Sequence, residues 1–341
     1  MLLEKLTLAN GVSGNEKEVR NLIYKEIIDF ADYIKIDKIG NIIAYKKGKK
    51  KTDKKILFIA HMDEVGLIVT DIDENGFLKF STVGGVDKRV LVSKTVKIGE
   101  NKIPGVIGSK PIHLQKKSER NEAFELEDLY IDIGVDSRTD AEIKVNIGDY
   151  VAFDTKYEEF GNGCIKAKAL DDRVGCSILI DLIKDENIEY DFYVAFSVME
   201  EIGLVGAGPV AFNVKPDICV IVEGTLCYEM PNLDSHLMPT RLGYGPAISL
   251  IDRHTLYDFE LREKTVSLAK QHNIPYQYRK TSSGGNDAGE IQVSGEGAKV
   301  LALSVPTRNI HSSSSIIKKD DYFNTLSLIK YLIPSICKED K

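Results

Sequence analysis

The 341-residue chain has no tryptophan, and aromatic residues make up only 8% of it. Stacking surfaces of the kind that sugar-cleaving enzymes use are therefore scarce. The five cysteines are odd in number and form no CxxC pair. Set in apolar contexts such as Gly175-Cys176-Ser177 and Ile218-Cys219-Val220, they read as reduced packing residues of a cytosolic protein. Met1-Leu2-Leu3-Glu4-Lys5 lacks an apolar stretch of signal-peptide length, and no window approaches the roughly 18 apolar residues of a membrane span. Basic charge is not in excess either: 45 Lys and Arg stand against 52 Asp and Glu, a net charge of −7. That leaves no electrostatic footprint for nucleic acid. Lys49-Lys50-Lys51 with Lys54-Lys55 is locally basic and reads as a solvated hairpin tip. Internal repeats and low-complexity segments are absent. The expectation is a cytoplasmic globular protein without nucleic-acid or membrane partners. A hydrophobic fraction of 43% with 28% charged residues is ordinary for such a protein, and the length suffices for two domains.

What the chain does have is a set of acidic and histidine residues at the ends of short apolar runs. Ile56 to Ala60 stops at His61-Met62-Asp63, Phe192 to Met199 at Glu200-Glu201, and Ile218 to Val222 at Glu223. Val300 to Val305 leads through Pro306-Thr307-Arg308 to His311. Continuous apolar runs of this length, separated by helical stretches, predict buried parallel strands. In open parallel sheets the ligand crevice lies beyond the carboxyl ends of the strands. Carboxylates and imidazoles collected there have the composition of a metal site.

The chain opens with a turn at Asn10 to Glu16 and an amphipathic first helix carrying Val19, Leu22, Ile23, Ile27 and Ile28. Strand-like alternation from Ile34 to Tyr45 is broken by a turn at Gly40-Asn41. From Val65 to Lys168 the text changes to short β segments with Gly and Asp turns: Gly66 to Asp71, Phe77 to Val83, Thr95 to Ile98, Ile103 to Ile107, Leu129 to Ile133 and Asp149 to Phe153. Such spacing predicts a small β-barrel or sandwich. Asp171-Asp172 then precede a helix with Val174, Ile178, Leu179 and Leu182 on one face. Strands and helices alternate to the end. The domain reading is an α/β catalytic part, residues 1–64 and 169–341, interrupted by a β insertion, 65–168.

Imidazole nitrogen and carboxylate oxygen suit zinc and similar ions, so two His and three or four Asp/Glu suffice for two ions if one carboxylate bridges them. In His61-x-Asp63 the two side chains of an extended segment point the same way, so Asp63 can orient the imidazole of a liganding His61. Adjacent Glu200 and Glu201 diverge from an extended backbone. One suits a ligand and the other a general base acting on water. Taken singly, each residue also has a plain reading: a hydrogen-bonded His, a helix cap, a solvated loop. His113, His254 and His272 have no such companions and read as structural; His236 reads as a surface-loop residue that could line the crevice.

At these residues the chain resembles the M42 family of metallo-aminopeptidases, which includes the tetrahedral TET peptidases. The blocks that carry the likeness include Val12-Ser13-Gly14-Asn15-Glu16, His61-Met62-Asp63-Glu64-Val65-Gly66, Ala169-Leu170-Asp171-Asp172-Arg173-Val174-Gly175, Glu200-Glu201-Ile202-Gly203 and Val305-Pro306-Thr307-Arg308-Asn309-Ile310-His311. The resemblance implies a fold of the zinc-exopeptidase type, α/β with a mixed, mostly parallel sheet flanked by helices, the insertion being a small β-barrel used in dimerisation. It implies two divalent ions, Zn or Co or Mn: His61, Asp171 and Glu223 on one, Asp171, Glu201 and His311 on the other. Glu200 is then the general base, Asp63 orients His61, and the Asp171-Asp172 peptide bond is cis. Peptide substrates and a homo-oligomer, a dodecamer built from dimers, are implied as well.

The chain departs from the family pattern in three places. Glu223 stands where Asp is usual, Asn286 replaces Thr in a Gly-Thr-Asp-Ala block, and Asn309 and Ser313-Ser314-Ser315 replace an aromatic residue and a proline near His311. Asp287 fits a substrate-side or supporting role. The rival readings are an endoglucanase-type glycoside hydrolase, a label some relatives have carried, and a non-catalytic scaffold that kept the fold. The preferred N-terminal residue is open. Its determinants are expected in Leu226 to Tyr244 and Thr281 to Ala288, with Arg241 a candidate for reading acidic side chains.

Overall fold

The computed structural model describes residues 2–229, 234 and 238–337. Helices α1 (Leu2–Leu8) and α2 (Lys17–Ile27) precede strands β1 (Tyr33–Ile36), β2 (Ile42–Lys46) and β3 (Ile56–His61). Next come β4 (Gly66–Ile72), β5 (Leu78–Val83), β6 (Thr95–Ile98), β7 (Ile103–Gly108), β8 (Tyr130–Asp132), the short α3 (Arg138–Glu142) and β9 (Tyr150–Phe153). The chain continues through β10 (Glu158–Phe160), β11 (Cys164–Ala167), α4 (Leu170–Lys184), β12 (Phe192–Ser197), α5 (Ala207–Val214), β13 (Ile218–Leu226) and β14 (Ala247–Ser249). It closes with α6 (Phe259–Gln271), β15 (Gln277–Arg279), α7 (Ala288–Ile291), β16 (Lys299–Thr307), β17 (Ser315–Lys318) and α8 (Lys319–Cys337).

Eight strands form a mixed sheet in the order β1-β2-β12-β3-β13-β16-β14-β15. Its centre, β12-β3-β13-β16, is parallel throughout. These are the four apolar runs noted in the sequence. Strand alternation divides β3 between two cores: Ile56, Phe58 and Ala60 pack under α1, α2, α4 and α8, while Leu57 and Ile59 face α5 and α7. A strand buried on both faces has no polar side to show, which is why these runs are continuous rather than alternating.

The β insertion is a closed antiparallel barrel, β4-β5-β8-β7-β6-β9, with its own core of residues such as Leu67, Leu78, Ile98, Ile131 and Val151. β10, β11 and β17 make a separate three-stranded sheet. Among the described residues no helix is long and apolar enough to cross a membrane.

Two expectations need correction. The amphipathic helix at Val19 is not the first, because α1 precedes it. The lysine run is no hairpin tip: it joins β2 to β3, which are separated in the sheet by β12. The exposure of Lys49, Lys50 and Lys51 does match their reading as solvated.

Candidate metal centre and active site

The carboxyl edge of the parallel strands brings the predicted residues together. His61 ends β3, and Glu200-Glu201 follow β12 after a turn in which Met199 adopts φ 55°. Asp171 lies at the kinked start of α4, where neither it nor Asp172 is helical and the bond between them is cis, as the resemblance implies. His311 sits in the loop after β16 with φ 58°, and Ala169, just before α4, has φ 52°. Left-handed backbone is uncommon for residues with a Cβ, and three such turns aim the site's side chains inward. Glu223 differs from expectation: β13 does not stop there but runs on to Leu226, because β16 pairs with it as far as Thr307.

His61, Asp171 and Glu201 offer ligand atoms that all lie within 4.8 Å of one another. His61 Nε2 is 3.4 Å from Asp171 Oδ1, and His311 Nε2 is 3.8 Å from Asp171 Oδ2 and 3.1 Å from Glu201 Oε2. Asp171 thus faces both imidazoles. Glu223 lines the same cavity; its Oε1 accepts from Asn286 Nδ2 at 2.7 Å and Ser304 Oγ at 3.2 Å.

The supporting layer is dense. Asp63, fully buried, lies 3.4 Å from His61 Nδ1 and accepts from Ser13 Oγ at 2.6 Å. It also receives the backbone N–H groups of Glu200 and Glu201, each at 3.1 Å, so one carboxylate sets both the imidazole and the diverging glutamates. Asp172 takes the N–H groups of His61 and Gly175, locking the strand end to the helix start. Ser13 and Asp172 were not singled out in this role; their motif blocks were the only signal. Asp287 is buried behind the Glu200 turn, accepting from Ser197 Oγ at 2.6 Å, a supporting rather than a substrate-side position.

The remaining histidines separate. His272 stacks on Tyr331 and His113 is exposed. His254, read as structural, lines the cavity mouth instead. His236 lies outside the described residues. Arg241, the candidate reader of acidic side chains, sits over the Tyr244 ring and is not part of the cavity wall.

Electrostatically the carboxylates crowd one another. Burial and the neighbouring Glu201 push Glu200 well above the carboxylate range, and burial with Asp171 nearby moves Glu223 up to about 8. Burial raises Glu201 despite its bond from His311. Burial opposes protonation of His311, yet Glu201 and Asp171 outweigh it and move the imidazole up to about 9. Among the described residues no Lys or Arg forms an ion pair with Asp171, Glu200, Glu201 or Glu223. Crowded carboxylates and imidazoles with no paired lysine or arginine are a donor set that fits divalent cations.

A parallel sheet whose carboxyl edge carries such a set, beside a cavity of about 480 Å³, defines the class of α/β metallohydrolases. The comparisons sharpen this. The M42 glutamyl aminopeptidase family matches residues 40–328, and the chain belongs to that family. It is 31% identical to the lysyl aminopeptidase of Pyrococcus furiosus over 342 residues, covering 98% of this chain and 96% of the relative. Its fold superposes on the TET aminopeptidase of the Thaumarchaeota archaeon SCGC AB-539-E09 with a TM-score of 0.94 at 34% identity, over 97% and 94% of the two chains. The Pyrococcus horikoshii TET1 peptidase, which assembles into a tetrahedron or a large octahedral shell, matches with a TM-score of 0.86 at 34% identity, over 97% and 98%. The protein is an aminopeptidase, a hydrolase of peptide N-termini.

Proposed function

We propose that N-terminal residues are removed with the help of two divalent ions, one held by His61, Asp171 and Glu223 and the other by Asp171, Glu201 and His311. The observation that carries this is Asp171, whose two oxygens face two different imidazoles at 3.4 and 3.8 Å. Ions held there supply Lewis acidity towards a carbonyl and towards water, and Zn, Co and Mn all suit the ligands. Glu200, free of a ligand role, takes the proton of the attacking water and passes it to the departing amine. Asp63 keeps the imidazole of His61 and the backbone of Glu200 in register, and Asp287 supports the same turn through Ser197.

The insertion, residues 65–168, serves assembly in this reading. It leaves Ile112, Leu114, Ile143 and Ile147 exposed, apolar surface that a homo-oligomer would cover. A TET-like dodecamer is supported by the similarity in fold to TET peptidases, and a cytoplasmic site of action agrees with five free cysteines.

The test is release of amino acids from aminoacyl anilides by metal-stripped protein, with and without added Zn or Co. Replacing Glu200→Gln should reduce turnover by about 10²-fold or more while two ions per chain remain bound. Full activity in that variant removes Glu200 from the mechanism. Binding of two ions without cleavage of any peptide overturns the enzymatic reading.

A further inference from the structure

Relatives of this chain bear different substrate names, so membership of the family leaves the side-chain preference open. Beside the carboxylate cluster, the cavity wall carries two guanidiniums, Arg253 and Arg279. Arg279 ends β15 and is only 8% exposed. Its head is held by neutral carbonyls alone: Nη2 donates to Ser283 O at 2.6 Å, and Nη1 to Ile251 O at 3.3 Å and Thr281 O at 3.4 Å, while Nε has no partner. Among the described residues no carboxylate lies within ion-pair distance of Arg279 or Arg253. The acidic group whose charge Arg279 does reach is Glu223, which the proposed ion engages.

A guanidinium cannot shed its proton, so a buried one without a counter-ion retains a full, poorly solvated charge. Bonds at 3.3 and 3.4 Å are at the weak end of the hydrogen-bond range, so the Nη1 edge can turn to a charged acceptor at little cost. Gly284 lies beside the guanidinium: a Cβ there would stand 3.4 Å from Nη2, in ordinary contact, and its φ of 73° is one that glycine adopts without strain. Arg253, exposed at the mouth, is tied to the same turn by its N–H bond to Gly284 O at 2.9 Å.

We infer that Arg279, assisted by Arg253, binds a carboxylate of the peptide substrate and makes this aminopeptidase prefer acidic over aliphatic or basic N-terminal residues. The inference rests on the site proposed above. Two substrate carboxylates could meet the guanidinium, the side chain of an N-terminal Asp or Glu and the free C-terminus of a very short peptide. The positive wall also repels an N-terminal lysine side chain.

The experiment compares kcat/KM for Glu-, Leu- and Lys-p-nitroanilides, and for Leu-Leu against its C-terminal amide, in wild type, Arg279→Gln, Arg279→Lys and Arg253→Gln. A charge-assisted bond predicts that wild type favours Glu over Leu by about 10- to 100-fold. Arg279→Gln should collapse that ratio while Leu turnover changes little, with Arg279→Lys keeping part of it and Arg253→Gln losing less. Free glutamate and free leucine as product inhibitors should show the same shift in their inhibition constants. If the guanidinium reads the C-terminus, Leu-Leu outruns its amide, and Arg279→Gln abolishes that difference instead. Wild type that favours Leu or Lys and ignores both carboxylates overturns the inference, as does an Arg279→Gln loss shared equally by all substrates. Failure to cleave anything with metal present strikes the proposed site itself, a distinguishable result.

Discussion

Two of the departures from the family pattern meet in space, and their coupling can be measured. Glu223 is buried inside β13, and its Oε1 is bonded by Asn286 Nδ2 at 2.7 Å and Ser304 Oγ at 3.2 Å. Asn286 also donates to Tyr257 Oη at 2.9 Å and accepts from the Ala288 N–H. With Oε1 engaged, Oε2 is left for the proposed ion. Removing the amide in Asn286→Ala leaves a buried carboxylate short of one donor, a loss of about 1.5–3 kcal/mol for a bond to a charged group. That is about one to two powers of ten in affinity, which agrees with the 10–100-fold typical of residues supporting a metal ligand. The ion proposed at Glu223 should therefore bind about 10- to 100-fold more weakly in this variant. Glu223→Asp shortens the arm by one methylene and withdraws the oxygen from Asn286, so it should weaken binding too. The double variant Glu223→Asp with Asn286→Thr, which restores the family's usual pair, should recover much of the loss. Competition with a chromogenic chelator measures each affinity, and the cycle's interaction energy should exceed about 1 kcal/mol. Additive effects, or an Asn286→Ala variant that loses only thermal stability, refute the argument.

Two further predictions concern the frame. Gly175 of α4 packs against β13 so closely that a Cβ would lie 2.1 Å from Val222 O and 2.5 Å from the Asp172 carboxylate. Gly175→Ala should destabilise by about 1–3 kcal/mol although alanine favours helix, and a denaturant midpoint at or above wild type would contradict the close packing. Lys168 is buried against both oxygens of Glu64, and burial moves its ammonium down from 10.5 to about 8 against the pull of Glu64. Between those values the unfolded chain holds the proton that the folded one has released, so wild type should gain on Lys168→Met as pH rises from 8 to 10.5. The gain should approach about 3 kcal/mol, absent below the window and complete above it. A stability difference flat across that window, by urea unfolding at both pH values, rules this out.

Residues legible in the sequence are those whose role follows from a run of neighbours. β3, β12 and β16 could be read because four or five apolar residues in succession have no other economical use than a doubly buried strand, and the polar residues beyond each run then fall at the carboxyl end of the sheet. The same rule misread Glu223: a charge inside a buried strand looks like the strand's end, and only the pairing of β13 with β16 carries it further. α1 escaped notice because seven residues are too few for a helical period to show. The lysine run was read as a hairpin because sequence proximity suggests pairing, yet β12 intervenes after more than a hundred residues of chain. Partners across such distances, Ser13 with Asp63 or Asp172 with His61, leave no local trace.

The division has a functional counterpart. Of the imidazoles and carboxylates proposed to do chemistry, His61, Asp171, Glu200 and Glu201 sit at a strand end, at the start of α4 and in the turn after β12, where the N–H groups received by Asp63 and Asp172 hold them, and Glu223 is fixed inside β13 by sheet register. The wall proposed to meet the substrate side chain is built from the end of β15 and the loops after β14 and β15, tied to each other by bonds such as Arg253 N to Gly284 O and Arg279 Nη2 to Ser283 O. A change of Arg279 therefore disturbs three carbonyl contacts in a loop, whereas a change of Asp63 loosens a strand end, a turn and two glutamates together. Preference can shift on this frame with little effect on the chemistry, and proteins of one family can bear glutamyl and lysyl names while sharing one fold.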